Sequence, residues 1–423
     1  MPRGKTSDMD DEALLDLVQR QTLRYFWEFA HPACGLARER SNVTSKYGLE
    51  AVTTGGTGFG VMAIIAGVSR GWIGREKAVE RLWTMARFLL KADSYHGVWP
   101  HFLNGETGKV IPFSRKDDGA DLVETAFLIA GLLCARQFFD RADEAEGRLR
   151  AAIDWMWREV EWDWHTRDGR NVLTWHWSPN NGWSMNHEIR GWNECLIAYV
   201  LAASAPRYSV SPEVYHRGWA DGRDFANGRS YDGVTLPLGP DGGGPLFLAQ
   251  YSFLGLDPRG LRDRYADYWA QNVAHARINR AWCVRNPKGF AGYGPDCWGL
   301  TASDSPGGYD AHSPTNDLGV ITPTAALGAF PYVPVEAMRA LRHFYHGLGD
   351  RIWGDYGFID AFSESAGWYA GSHLAIDQGP IVVMIENARS GLLWRLLMSC
   401  PEVLGGLRRL GFESPHLEGV AIA

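Results

Sequence analysis

No Cys-x-x-Cys pair occurs in this chain. Its six cysteines, Cys34, Cys134, Cys195, Cys283, Cys297 and Cys400, are scattered along 423 residues. Neither a disulfide framework nor a structural zinc site is therefore expected. Cys134 and Cys195 fall inside apolar helical runs, where free cysteine behaves as a small hydrophobe. No basic stripe is present either. The net charge is −7, which argues against nucleic acid as a partner, because nothing is there to neutralise phosphates. No apolar run is long enough to cross a bilayer. The opening MPRGKTSDMDDEALL is polar and acidic and has no signal-peptide core. The sequence as given is expected to be cytoplasmic, and periplasmic if its start is processed. Finally, 49 glycines and 21 prolines form no low-complexity tract, so disorder is not expected.

What is present is helical periodicity from end to end, in two kinds. Amphipathic segments with charged faces cover 11–30, 75–92, 142–159, 259–278 and 334–346. Segments poor in charge and rich in small apolar residues cover 58–68, 120–135, 192–204, 245–256, 322–330 and 379–394. The first kind should face solvent on one side, and the second should be buried all round. The two alternate. Pairing them gives about six outer and six inner helices, the outer one near 212–218 being weak. Links from inner to outer helices are short. Links from outer to inner are long, over 31–57, 93–119, 160–188, 219–244, 279–321 and 347–378. All the long loops must then emerge at one end. This is the layout of an all-α (α/α)6 barrel, one domain over 1–423, with a single functional face.

The stretch EWDWHTRDGRNVLTWHWSPNNGW (161–183) holds five of the 19 tryptophans. Alternation around Trp162 and Trp164 and around Trp175 and Trp177, with Asp168-Gly169 between, predicts a β-hairpin over the barrel mouth. Indole offers a broad apolar face and an N–H at its edge, which complements the C–H faces and hydroxyl edges of a sugar. About half of these rings should instead cap the core. Trp177, Trp183 and Trp192 are the expected sugar platforms. His187, Glu188, Asn193 and Gln378 are expected to bind hydroxyls beside them.

Carboxylates gather at the entrances of the inner helices. In KDDGADLVET, Asp121 and Glu124 are three apart and share a face. Asp117 and Asp118 read as helix-start acids, with Asp118 as an N-cap. Glu124 lies inside an apolar run, where a carboxylate is costly unless paired or used. Glu194 in WNECLIAYVL repeats the pattern, and burial there would keep it protonated, as a general acid requires. Asp377 and Gln378 stand at the mouth of the last inner helix. Glu386, deeper, is expected to pair with Arg389. Acids from different helices converging on one aromatic mouth suit glycoside hydrolysis, in which one carboxyl protonates the leaving oxygen and another activates water or attacks the sugar.

Two rivals weigh less. DDGAD fits the D-D-x-x-D motif of isoprenoid synthases, yet the facing motif those enzymes need is incomplete at NDLGVIT (316–322). A sugar-binding protein without catalysis would show aromatic platforms but no paired buried acids. The histidines His165, His176, His187, His312 and His373 have no metal-ligand spacing.

Five ordered motifs, LLDLVQRQTLRYFWEFAHPACGLARERSN, TTGGTGFGVMAIIAGVSRGWI, DDGADLVETAFLIAGLL, WNECLIAYVLAAS and AIDQGPIVVMIENARSGLLW, resemble the bacterial glucoamylase-like family. That family includes β-1,2-glucanases of glycoside hydrolase family 144 and is similar to the processing region of cyclic β-1,2-glucan synthases. The resemblance runs from about residue 12 to about 400. It implies an (α/α)6 barrel, action on β-1,2-linked glucan and no metal cofactor. It carries site roles onto Asp121, Glu124, Glu194 and Asp377. The expected reaction is inverting hydrolysis, with Glu194 as acid, Asp121 or Asp377 as base, and Glu124 orienting sugar or water. Transglycosylation at the same site is the alternative.

Overall fold

The computed structural model describes residues 9–42, 46–223 and 225–418. Inner helices Thr54–Ser69, Leu122–Phe138, Leu196–Ser204, Pro323–Leu327 and Ala375–Ser390 pack side by side, and the last closes on the first. Thr54–Ser69 carries no charge and buries every residue from Thr54 to Gly67. Such a helix is stable only inside a core. Its crossing with Leu122–Phe138 is unusually close: a Cβ on Gly58 would lie 2.2 Å from the Phe127 carbonyl oxygen, and one on Gly131 would lie 2.2 Å from that of Gly58. Only glycine at both positions lets these two backbones meet.

Outer helices Asp11–Trp27, Arg75–Leu89, Glu144–Glu159, Tyr268–Arg285 and Pro334–Arg342 wrap the ring. The first packs on both the last and the first inner helix, each later outer helix packs on the inner segment that precedes it, and the result is an α/α barrel. Leu392–Leu397 and Pro401–Arg409 pack against the inner helices Leu122–Phe138 and Leu196–Ser204. The fourth pair departs from the pattern. Its outer member is a single π-helical turn, Val214–Trp219, and its inner member is two 3₁₀ turns, Leu246–Ala249 and Ser252–Leu254. Pro245 and Gly255 bracket only nine residues there, too few for a cooperative helix. The fifth outer helix starts at Tyr268 rather than near 259. Asp267 caps it by accepting from the Ala270 amide at 2.9 Å. Among the described residues no helix is long and apolar enough to cross a membrane.

The long loops carry short strand pairs, but the tryptophan segment does not form its own hairpin. Trp164–Thr166 is a 3₁₀ turn. His176–Trp177 pairs instead with Ala120–Asp121, at the entrance of an inner helix. The Asp168-Gly169 turn is real, with both residues at positive φ, yet the flanking residues find better partners elsewhere. A second stitch matters more for the site. The Ser41 amide donates to the His373 carbonyl at 3.0 Å, and the Ala375 amide to that of Glu39 at 3.0 Å. The first long loop is thereby tied to the start of the last inner helix.

Candidate active site

At the loop end of the barrel lies a cavity of about 400 Å³. Five of the six long loops line it. The first supplies Glu39, Arg40, Tyr47 and Thr53, and the second His101, Phe102 and Phe113. Trp175 comes from the third, Tyr309 from the fifth, and Leu374 and Ile376 from the sixth. The inner helices bring Glu124 and Glu194 to its wall. Tyr251 and Phe247, from the two 3₁₀ turns, complete it.

Glu194 stands just before the Leu196–Ser204 helix. Its backbone carbonyl is held by the Ser252 hydroxyl. Its carboxyl takes a hydrogen bond from its own amide, and no side chain of another described residue donates to it. Burial therefore dominates and pushes it up to about 7, with the charges of Glu124 and Asp121 adding to the effect. Glu124, in the first turn of the neighbouring inner helix, is also raised by burial. The nearby His101 charge and donors from Gly55 (amide, 2.8 Å) and Thr53 (hydroxyl, 3.4 Å) oppose this. Both donors go to one oxygen, Oε2, and the other has no hydrogen bond to a described residue.

Asp121 is different. It is the N-cap of Leu122–Phe138, fully buried, with no surface on the cavity. Its Oδ1 accepts from the amides of Val123 and Glu124 (3.1 and 3.0 Å) and from Trp175 Nε1 (2.8 Å). Its Oδ2 meets His101 Nδ1 at 3.1 Å. Burial opposes its charge, but these partners outweigh it and hold the carboxyl below its ordinary value. Oδ1 is filled by its three donors, and Oδ2, which keeps one lone pair, is held by His101, so the cavity wall offers no Asp121 oxygen for the expected base role. Asp121 orients Trp175 and His101. Asp118 is not the cap, as expected from sequence, but ties Ser178 and Asn180 to the second loop.

His101 is the complement of these acids. Burial would lower it, yet Glu124 and Asp121 raise it to about 9. Asp117, raised by burial to about 7, lies 3.6 Å from His176 Nε2. His101, Asp117 and Asp121 form a group of donor atoms within 4.8 Å of one another, close enough to share a cation. His101 Nδ1 and Asp121 Oδ2 are hydrogen-bonded at that place.

The remaining expected site residues separate. Trp192 is buried in the core against Trp219, Phe253 and Tyr268 and cannot reach a sugar. Gln378 is buried too, and its amide donates to the Tyr356 and Phe358 carbonyls. Asn193 accepts from the Cys195 amide and Trp219 Nε1, fixing the turn before Leu196. Glu188 pairs with Arg190 and Arg170. Trp177 and Trp183 pack around Trp164, outside the cavity lining. His187 is exposed and stacks on the far partner of the site, Trp175, at 4.9 Å. Asp377 is buried and lines no part of the cavity. Glu386 pairs with Arg70 at 2.8 Å rather than with Arg389, whose partners are Glu12 and Asp16.

Fold and site define a class: an α/α barrel whose loop end opens into an aromatic, carboxylate-lined cavity, as in barrel glycoside hydrolases. The family model for glycoamylases, described as "Putative glucoamylase", matches residues 186–401. An exo β-1,2-glucooligosaccharide sophorohydrolase (non-reducing end) from Parabacteroides distasonis is 45% identical over 96% of the chain, and the chain spans 58% of that relative's length. An endo-β-1,2-glucanase from Chitinophaga pinensis, solved with sophorotriose and glucose, is 54% identical, with TM-score 0.94 over 96% of this chain and 100% of that one. A "putative glucoamylase" structure from Bacteroides uniformis is 58% identical, with TM-score 0.95 over 97% and 99%. The chain belongs to this glucoamylase-like family.

Proposed function

We propose that the protein hydrolyses β-1,2-glucan with inversion at the anomeric carbon. One observation carries the reading: Glu124 and Glu194, from neighbouring inner helices, face one aromatic cavity, and Glu194 sits at about 7 with no neighbouring side chain donating to it. Glu194 is the general acid, protonated near neutrality. Glu124 is the carboxylate that activates water through Oε1, its charge favoured by the His101 cation. Trp175, Tyr309 and Phe113 supply faces for sugar rings. The names of the relatives from P. distasonis and C. pinensis support the linkage.

The test is incubation of the purified protein with linear β-1,2-glucan, followed by chromatography of products and NMR of the first anomer released. Short gluco-oligosaccharides of inverted configuration are the expected result. Retained configuration would sink the assignment of Glu124 as a base. Chain redistribution without net reducing ends would replace hydrolysis by transglycosylation.

A further inference from the structure

Among the described residues Arg40 is the one arginine on the cavity wall. Its Nε binds Glu39 at 2.8 Å, and its Nη1 binds both oxygens of Asp304 at 3.0 Å. Among the described residues Nη2 has no protein partner, which leaves it for a sugar hydroxyl. Asp304 is in turn fixed from behind. The Ser372 hydroxyl donates to it at 2.6 Å, and its amide donates to Asp360 Oδ2 at 2.7 Å.

Behind Asp304 the chemistry becomes unusual. Asp360 and Asp377 are both almost wholly buried. Asp360 Oδ1 and both oxygens of Asp377 have no donor. Two buried carboxylates in hydrogen-bonding reach of each other, with the Asp304 amide as their one donor, cannot both be ionised. A single proton between them joins Asp360 Oδ1 to one Asp377 oxygen and leaves the other Asp377 oxygen an uncharged carbonyl. We propose that Asp360 and Asp377 share one proton, and that this bridge locks Asp304 so that Arg40 is held ready to bind substrate. Both aspartates are positioning residues, and Asp377 is not the base. The inference rests on the glucan-hydrolase reading only for what Arg40 binds.

The surrounding charges place the proton. Burial raises Asp377 well above the ordinary range, and the Asp360 carboxylate beside it raises it further. Asp360 is raised to about 7 by burial and by Asp304. Asp304 opposes ionisation of the pair and Arg40 favours it, with Glu39 beyond Arg40 and the Tyr251 and Tyr309 phenols facing Asp377. Above neutrality the proton therefore sits on Asp377 and is donated to Asp360.

Difference infrared spectroscopy at about pH 8, where ordinary carboxyls are ionised, should show a protonated carboxyl in the wild type. Asp360→Asn should abolish it, because the amide donates to an ionised Asp377 while its oxygen still accepts from the Asp304 amide. KM should stay near wild type, and the rise in KM at alkaline pH, where the pair loses its proton, should vanish. Asp360→Leu removes the acceptor for the Asp304 amide. KM should then rise about tenfold with little change in kcat, the mark of lost ground-state binding. Ser372→Ala, which leaves the pair intact, should raise KM in the same direction by less. No protonated carboxyl in the wild type, or equal KM for the Asn and Leu variants, overturns the proposal. The infrared band is read without substrate, so it stands even if the protein proves inert toward β-1,2-glucan.

Discussion

The two ends of the barrel treat buried acids in opposite ways. At the end remote from the cleft, each buried acid has an arginine. Glu386 pairs with Arg70 at 2.8 Å, Glu146 with Arg75 at 2.6 Å, and Asp257 with Arg259 at 2.7 Å. Arg75 and Arg259 hold Glu146 and Asp257 below their ordinary values, against the cost of burial. At the cleft end, half-buried Glu194 has no such partner, and the buried Asp360 and Asp377 face each other and Asp304 with no arginine bonded to either. Pairing secures structure, whereas an unpaired buried acid retains a proton it can give away. Residue type alone does not separate the two; the partner does.

The sharpest way to break this contrast is Glu194→Gln. Loss of a general acid should cost about a thousandfold in kcat, measured on β-1,2-glucan, with the fold intact. The same substitution changes the pH dependence of stability. A carboxyl at about 7 in the fold and about 4.5 unfolded favours the folded state fully below the lower value. That advantage is lost as pH rises through the upper one. The Gln variant should therefore melt above wild type on the alkaline side, with the gap closing in acid. Wild-type kcat/KM should fall as pH rises through about 7. A Glu194→Gln variant that stays active would erase the distinction between the two ends.

The next effect concerns two tryptophans that look alike in sequence. Trp192→Ala should cost about 3–5 kcal/mol of stability, as for other large core truncations, read as a lower denaturation midpoint. Trp175→Ala should leave the midpoint nearer to wild type and raise KM about tenfold instead. Smaller again, Arg70→Leu strands the buried Glu386 carboxylate. It should cost about 3 kcal/mol while activity per folded molecule stays unchanged.

The sequence made the barrel legible because charge-poor and amphipathic segments alternate, and that alternation is burial itself. Glu124 and Glu194 were legible for the same reason, as carboxylates inside apolar runs. The capping role of Asp121 was readable too, since Asp-x-x-Glu before an apolar run is a capping signature, whereas Asp118 has no Glu three residues on. The tryptophans misled because an indole's fate depends on distant partners. Trp192 is buried by Phe253 and Tyr268, more than fifty residues away in sequence. Glu39, Arg40, Asp304 and Asp360 carry no periodic signal at all. They are ordinary loop charges until backbone pairing brings them together. The fourth inner helix failed because apolar composition was read as helix where proline and glycine permit only 3₁₀ turns.

The stitch between Glu39–Ser41 and His373–Ala375 has a consequence for how the protein is made. Arg40 is translated before the segment that holds its loop in place, which emerges more than three hundred residues later. A nascent chain lacking that segment has no complete cleft wall. Binding competence thus waits for that segment, and a chain released before residue 375 would carry Glu124 and Glu194 without the wall that seats a sugar between them.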